Sequence, residues 1–187
     1  MDGFEGLVTT LDVDDHIYPP QEKSFRLLSY FGRLADEYEW FLRIDDDSIL
    51  QWEPLSRFLS KIDSSKYQMI GSPGFGRNAD DYVPADKAYC MGGPGIIFSS
   101  SLARDIRPHV PACTKKILTD HEDIELCRCI WEKLDVDCTK SWEMNEILHN
   151  NWKKHVEPGE IGYRVTKYSS FSFFGTPKIS LKMAVAY

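Results

Sequence analysis

Trp40-Phe41-Leu42-Arg43-Ile44-Asp45-Asp46-Asp47 is a mostly apolar run stopped by three acids. The run reads as a buried strand. Carboxylates crowded at the end of such a strand repel one another, and burial raises that cost. A hard divalent cation relieves it, because Mg²⁺ and Mn²⁺ prefer oxygen ligands and bridge to phosphates. Strand ends of open α/β sheets are also where such folds bind ligands. The same acids read equally well as an exposed turn that caps the next helix.

Outward from this stretch, strands and helices alternate. Upstream, Tyr18-Pro19-Pro20 breaks structure, since proline fixes φ and restricts the residue before it. Leu27, Leu28, Phe31, Leu34, Ala35 and Tyr38 then recur at helical spacing. Farther upstream, Gly6 to Leu11 alternates weakly and is expected as a strand. Downstream, Trp52 to Lys61 is expected as a helix with Leu55, Phe58, Leu59 and Ile62 inward. Met69-Ile70 opens a strand that Gly71-Ser72-Pro73-Gly74 closes, and 74–87 is loop-like. Ile96-Ile97-Phe98 is a strand, and Ser99 to Ile106 a helix stopped near Pro108. Thr119-Asp120-His121-Glu122 has capping-box spacing before a helix running to about Leu134, with Cys127, Ile130, Trp131 and Leu134 on one face. The alternation argues an α/β layered fold. Residues 7–157 are expected as one domain, and 158–187 as a divergent tail without clear period.

Composition narrows the function. The chain has 187 residues, 42% hydrophobic and 27% charged, a soluble globular make-up with length enough for a sizeable core. Lys plus Arg number 22 and Asp plus Glu 29, a net charge of -7. Bulk charge therefore disfavours nucleic acid and anionic membrane as partners, and an anionic ligand needs a local basic pocket or a bound cation. The apolar runs are far shorter than the ~20 residues of a bilayer helix, and the first residues lack a basic and an apolar segment of signal type.

The cysteines are Cys90, Cys113, Cys127, Cys129 and Cys138, without C-x-x-C spacing, which disfavours a structural zinc site. Cys127 and Cys129 lie nearly opposite on one helix and should not bond each other. Cys127 reads as a small core residue. The other four either form two disulfides in an oxidising compartment or remain buried thiols.

Three constellations bear on chemistry. Asp45-Asp46-Asp47 is the first. Glu122-Asp123 is the second: a carboxylate in the first turn of a helix stays ionised and can act as a general base, although acids are favoured there for the dipole alone. Gly92-Gly93-Pro94-Gly95 is the third; its glycines admit close approach of a ligand or simply make a turn, and no P-loop Gly-Lys-Ser/Thr follows. His149 follows Ile147-Leu148 and reads as a core histidine or a metal ligand.

These signals occur together and in order. Tyr18 to Phe25 and Tyr38 to Asp47 resemble the Fringe-like β-1,3-glycosyltransferases. Cys90 to Ser99 and His121 to Cys129 narrow the resemblance to the amino-terminal transferase domain of chondroitin sulfate synthases, hexosyltransferases of chondroitin assembly, over about Leu11 to Lys154. The resemblance implies a GT-A nucleotide-sugar transferase fold on the lumenal side of the Golgi membrane, with type II topology. It implies inverting transfer of glucuronic acid from UDP-glucuronate to the 3-hydroxyl of a terminal N-acetylgalactosamine on chondroitin.

Carried over residue by residue, the resemblance makes Asp123 the catalytic base. Gly92, Gly93 and Glu122 become substrate-binding. Asp45 and Asp47 become ligands of Mn²⁺ or another divalent cation, with His149 substituting for the family's late histidine. Cys127 stands where the family has a small residue.

The chain begins at or beyond the point where the family's first nucleotide-binding strand has passed. An incomplete donor site, weak UDP-sugar binding and an uncovered sheet edge are therefore expected. Two other readings are a core-1-type β-1,3-galactosyltransferase and a non-catalytic, polymerising-factor-like partner. Pairing with another chondroitin synthase is expected as well.

Overall fold

The computed structural model describes residues 11–14, 16–45, 48–50, 52–76, 82–139, 148–149, 162–164 and 183–186. The Gly6 to Leu11 strand expectation, Asp46 and Asp47 lie outside these residues, Leu11 excepted, and so do the side chain of His149 and most of the 158–187 tail.

In chain order the elements are α1 (Gln21–Arg33), β1 (Trp40–Arg43), β2 (Ser48–Leu50), α2 (Trp52–Leu59), β3 (Met69–Gly71), β4 (Pro73–Gly74), β5 (Tyr89–Cys90), β6 (Ile96–Ser99), α3 (Ser100–Ile106), α4 (Val110–Cys113), α5 (Glu122–Leu134), β7 (Leu148–His149), β8 (Gly162–Arg164) and β9 (Met183–Ala186). This is a mixed α/β fold. Its main sheet runs in the order β3-β6-β1-β9, antiparallel except where β9 lies parallel to β1.

The period of two along β1 sorts its side chains between two cores. Trp40, Leu42 and Ile44 join Leu55 and Leu59 of α2, with Ile70 and Ile97. Phe41 points the other way, among Phe25, Leu28 and Phe31 of α1, Phe98 of β6 and the apolar residues of α3 and α5. Helices thus cover both faces of the sheet. Phe31 and Phe41 pack with ring centroids 4.9 Å apart. The next residue on Phe41's side of the strand is Arg43, and this alternation aims a cation toward α5 at the strand's end.

Several boundaries depart from expectation. Helix α1 stops at Arg33, ahead of Leu34, Ala35 and Tyr38, which pack on the core from the following turn. Asp36 and Glu37 lie just beyond, where negative charge opposes the helix dipole. Helix α3 ends at Ile106, just before Pro108, as expected. The chain continues through a 3₁₀ turn, Arg107–His109, into α4, with a proline in the first positions of each turn, where a missing N–H costs nothing. Ser99 is the N-cap of α3 and not its first residue; its Oγ accepts from Leu102 N at 3.4 Å. Strand β9 from the tail pairs with Trp40 to Arg43 along the whole strand, so β1 is not an edge of the sheet.

Cys90 is bonded to Cys138 and Cys113 to Cys129. Cys127 is the buried free thiol among the described residues. Cys129 faces α4 and Cys127 faces β5, where its Sγ accepts from Cys90 N at 3.2 Å. Burial pushes the Cys127 thiol far above its ordinary value, as befits a packed core group. Among the described residues no helix is long and apolar enough to cross a membrane.

Candidate active site

A cleft of about 360 Å³ opens where β1 ends and α5 begins. Arg43 and Asp45 come from the end of β1, Gly92 and Gly93 from the turn before β6, and Glu122 and Asp123 from the first turn of α5. Tyr18, Asp120 and His121 complete the rim. Five of the expected site residues therefore meet in one place: Asp45, Gly92, Gly93, Glu122 and Asp123. Asp47 lies outside the described residues. His149 stands in β7, and the order β2-β8-β7 puts it in the same small sheet as β2, which follows the acid triplet.

Arg43 organises the cleft. Its Nη2 pairs with Asp45 Oδ1 at 3.0 Å and also with Glu122 Oε1. The second Glu122 oxygen accepts from Ser24 Oγ of α1 at 2.9 Å. Burial raises the Glu122 pKa above the usual carboxylate range; Arg43 opposes the shift, and Asp123 and Asp45 add to it. Asp123 differs. Its Oδ2 accepts from Gly92 N at 3.1 Å and its Oδ1 from its neighbour Ile124 N at 2.9 Å. Among the described residues, Asp45 and Glu122 have a cationic partner, and Asp123 is held by neutral backbone donors.

The glycine turn serves the protein before any ligand. Gly95 has φ +110°, which only glycine adopts comfortably, and its N–H closes the turn on Gly92 O at 3.0 Å. A Cβ at Gly92 would run into the Arg43 guanidinium.

The start of α5 is built without a capping box. His121 is the N-cap, and its N–H donates to Thr119 Oγ1 at 2.9 Å. Glu125 reaches back instead, accepting from Leu118 N at 3.0 Å and Thr119 N at 2.9 Å. Its other oxygen pairs with buried Arg128, which also donates to Lys116 O. Glu125, part of the acidic motif in the sequence, is thus a fully buried anchor for the loop that presents Asp120 and His121.

Sequence reasoning did not single out Arg43, Ser24 or Tyr18 as site residues. For Arg43 the signal was available: a lone cation inside an apolar strand, in register with Phe41, must find a partner on that face.

The oxygen chemistry of Asp45 suits a hard cation, but Asp45 cannot hold one alone. Among the described residues no group of three His, Cys, Asp or Glu able to hold a metal occurs. A complete ligand set would draw on Asp47 and His149.

A family model described as "Chondroitin N-acetylgalactosaminyltransferase" matches residues 109–170. Chondroitin sulfate synthase 3 of Mus musculus is 38% identical over 154 residues, 80% of this chain. The Homo sapiens protein of that name gives the same identity and coverage. The Homo sapiens chondroitin sulfate glucuronyltransferase is 27% identical over 138 residues, 73% of this chain. The chain spans only 17% of the length of each of these relatives.

Proposed function

Since the chain is related to the chondroitin sulfate synthases over 80% of its length, we propose that it forms the catalytic cleft of a GT-A-type inverting glycosyltransferase of chondroitin synthesis. Its reaction would move glucuronic acid from UDP-glucuronate to the 3-hydroxyl of a terminal N-acetylgalactosamine. The observation that carries this reading is the contrast between Asp123 and its neighbours. Among the described residues, Glu122 and Asp45 share the Arg43 cation, while Asp123 lines the cleft and accepts from the N–H groups of Gly92 and Ile124.

Asp123 is the base. It takes the proton of the attacking hydroxyl as that oxygen forms its bond to the anomeric carbon. The bond from that carbon to the UDP oxygen breaks, and UDP leaves with the electron pair. Inversion follows from attack opposite the leaving group, so one carboxylate base suffices and a glycosidase-like acid pair is not required. The N–H groups of Gly92 and Ile124 fix the Asp123 carboxylate, and Arg43 with Ser24 holds Glu122 at the wall beside it. Mn²⁺ or another divalent cation on Asp45, Asp47 and His149 would supply charge compensation for the leaving diphosphate.

Residence on the lumenal side of the Golgi membrane belongs to the same proposal, as does pairing with another chondroitin synthase or polymerising factor. Two disulfides agree with an oxidising compartment.

The test is transfer of labelled glucuronate from UDP-glucuronate to a chondroitin oligosaccharide ending in N-acetylgalactosamine. Asp123→Asn should lower turnover by about 10²–10⁴-fold, the usual contribution of a general base. Wild-type turnover in that variant would overturn the reading.

A further inference from the structure

Tyr18 is 87% exposed on the rim of the cleft that holds Asp123. It belongs to neither hydrophobic core, so packing does not explain an aromatic side chain there. Other exposed aromatics, Tyr67, Phe75 and Tyr82, do not line this cleft, and the Tyr67 hydroxyl donates to Asp105 at 2.6 Å.

The helix that follows Tyr18 is anchored at the cleft. Three residues on, Gln21 Nε2 donates to Thr119 O at 3.0 Å, and Ser24 Oγ donates to Glu122 Oε2 at 2.9 Å. These bonds tie the start of α1 to the loop and first turn that present Asp120, Glu122 and Asp123. The start of α1, which Tyr18 precedes, is therefore tied to the element that carries the candidate base.

We infer that Tyr18 is the platform for the terminal pyranose of the acceptor saccharide. The inference rests on the proposed transferase reading and adds a subsite to it. The face of a phenol ring is electron-rich, and the apolar face of a pyranose presents C–H groups of slight positive charge. Stacking covers that sugar face and leaves its hydroxyls free for the carboxylates beyond. The base must touch the acceptor hydroxyl, and an aromatic group beside the element that carries the base is placed for the acceptor.

The experiment titrates the full 187-residue protein with a chondroitin trisaccharide ending in N-acetylgalactosamine, and separately with UDP, read by ligand-observed NMR. Because Tyr18 is exposed, Tyr18→Ala should keep the wild-type circular dichroism and thermal midpoint. It should weaken trisaccharide binding by about tenfold, the loss of one aromatic contact. Tyr18→Phe keeps the ring and should bind like wild type. Trisaccharide binding that Tyr18→Ala leaves unchanged would overturn the platform and leave the transferase reading standing. A loss confined to UDP would overturn it in favour of a nucleobase contact. Failure of the wild-type protein to bind any chondroitin saccharide would overturn both.

Discussion

The guanidinium of Arg43 occupies the volume that a side chain at Gly92 would fill. A Cβ at 92 would meet Arg43 Nη1 and lie 3.2 Å from both Arg43 Cζ and Glu122 Oε1. Arg43 is only 12% exposed and bound to two carboxylates, so it has little room to withdraw. Gly92→Ala should therefore cost about 1–3 kcal/mol, the usual range for overpacking, and should depress glucuronate transfer. Adding Arg43→Lys, whose head is smaller, should recover part of the stability. A Gly92→Ala protein with unchanged denaturant midpoint would show that the two positions do not compete.

Glu122 supplies a pH test. Burial lifts its folded-state pKa, so the folded protein holds the proton more tightly than the unfolded chain. The stability this contributes is complete below the unfolded value of about 4.3 and is lost as pH rises through the folded-state value. Glu122→Gln lacks the titration. The stability of wild type relative to this variant should fall as pH climbs from about 4.3 into the weakly acid range. Parallel denaturation curves at each pH check it; a constant difference would contradict the burial argument.

Glu125 and Arg128 are a buried pair with side chains 0% and 3% exposed. Removing one partner strands the other. Glu125→Ala should destabilise the fold by about 3–5 kcal/mol and free the Leu118 and Thr119 amides. Hydrogen exchange would report those two amides opening with the loss. Their continued protection would mean that the loop is held by something else.

The disulfides enclose sequence separations of 48 and 16 residues. Chain entropy assigns the first about 4 kcal/mol and the second about 3 kcal/mol. Cys90→Ser should therefore lower stability more than Cys113→Ser. In the oxidised protein one thiol, Cys127, should react with a thiol reagent, and only after denaturation. Several reactive thiols in the unfolded, unreduced chain would refute the pairing.

Strand β9 covers β1, the strand that carries Arg43 to the cleft. Removing residues 183–187 should bare the backbone groups of Trp40 to Arg43. Bare strand edges associate. Light scattering should show larger species, and Tm should drop. A monodisperse truncated protein with unchanged Tm would mean that β9 adds nothing to the sheet.

The sequence by itself determined the layered α/β class and the placing of strands β1, β3 and β6 and helices α1, α2, α3 and α5. Apolar spacing at period two or 3.6 is a local property, and Trp40 to Ile44 or Leu27 to Phe31 carries it without help. It also brought Asp45, the glycine turn and Glu122-Asp123 to notice, because each motif has its own stereochemical signature. Only the tertiary structure decided how those pieces divide the work. The sequence marks Arg43 as a lone cation in an apolar strand, but its partner, Glu122, lies 79 residues away. Glu125 looked like one more acid of a catalytic motif until burial beside Arg128 made it an anchor. The cysteine pairing and the parallel docking of β9 on β1 belong to the same class. Pairings between distant segments are set by which surfaces the folded chain brings together, and a single sequence does not encode that choice locally.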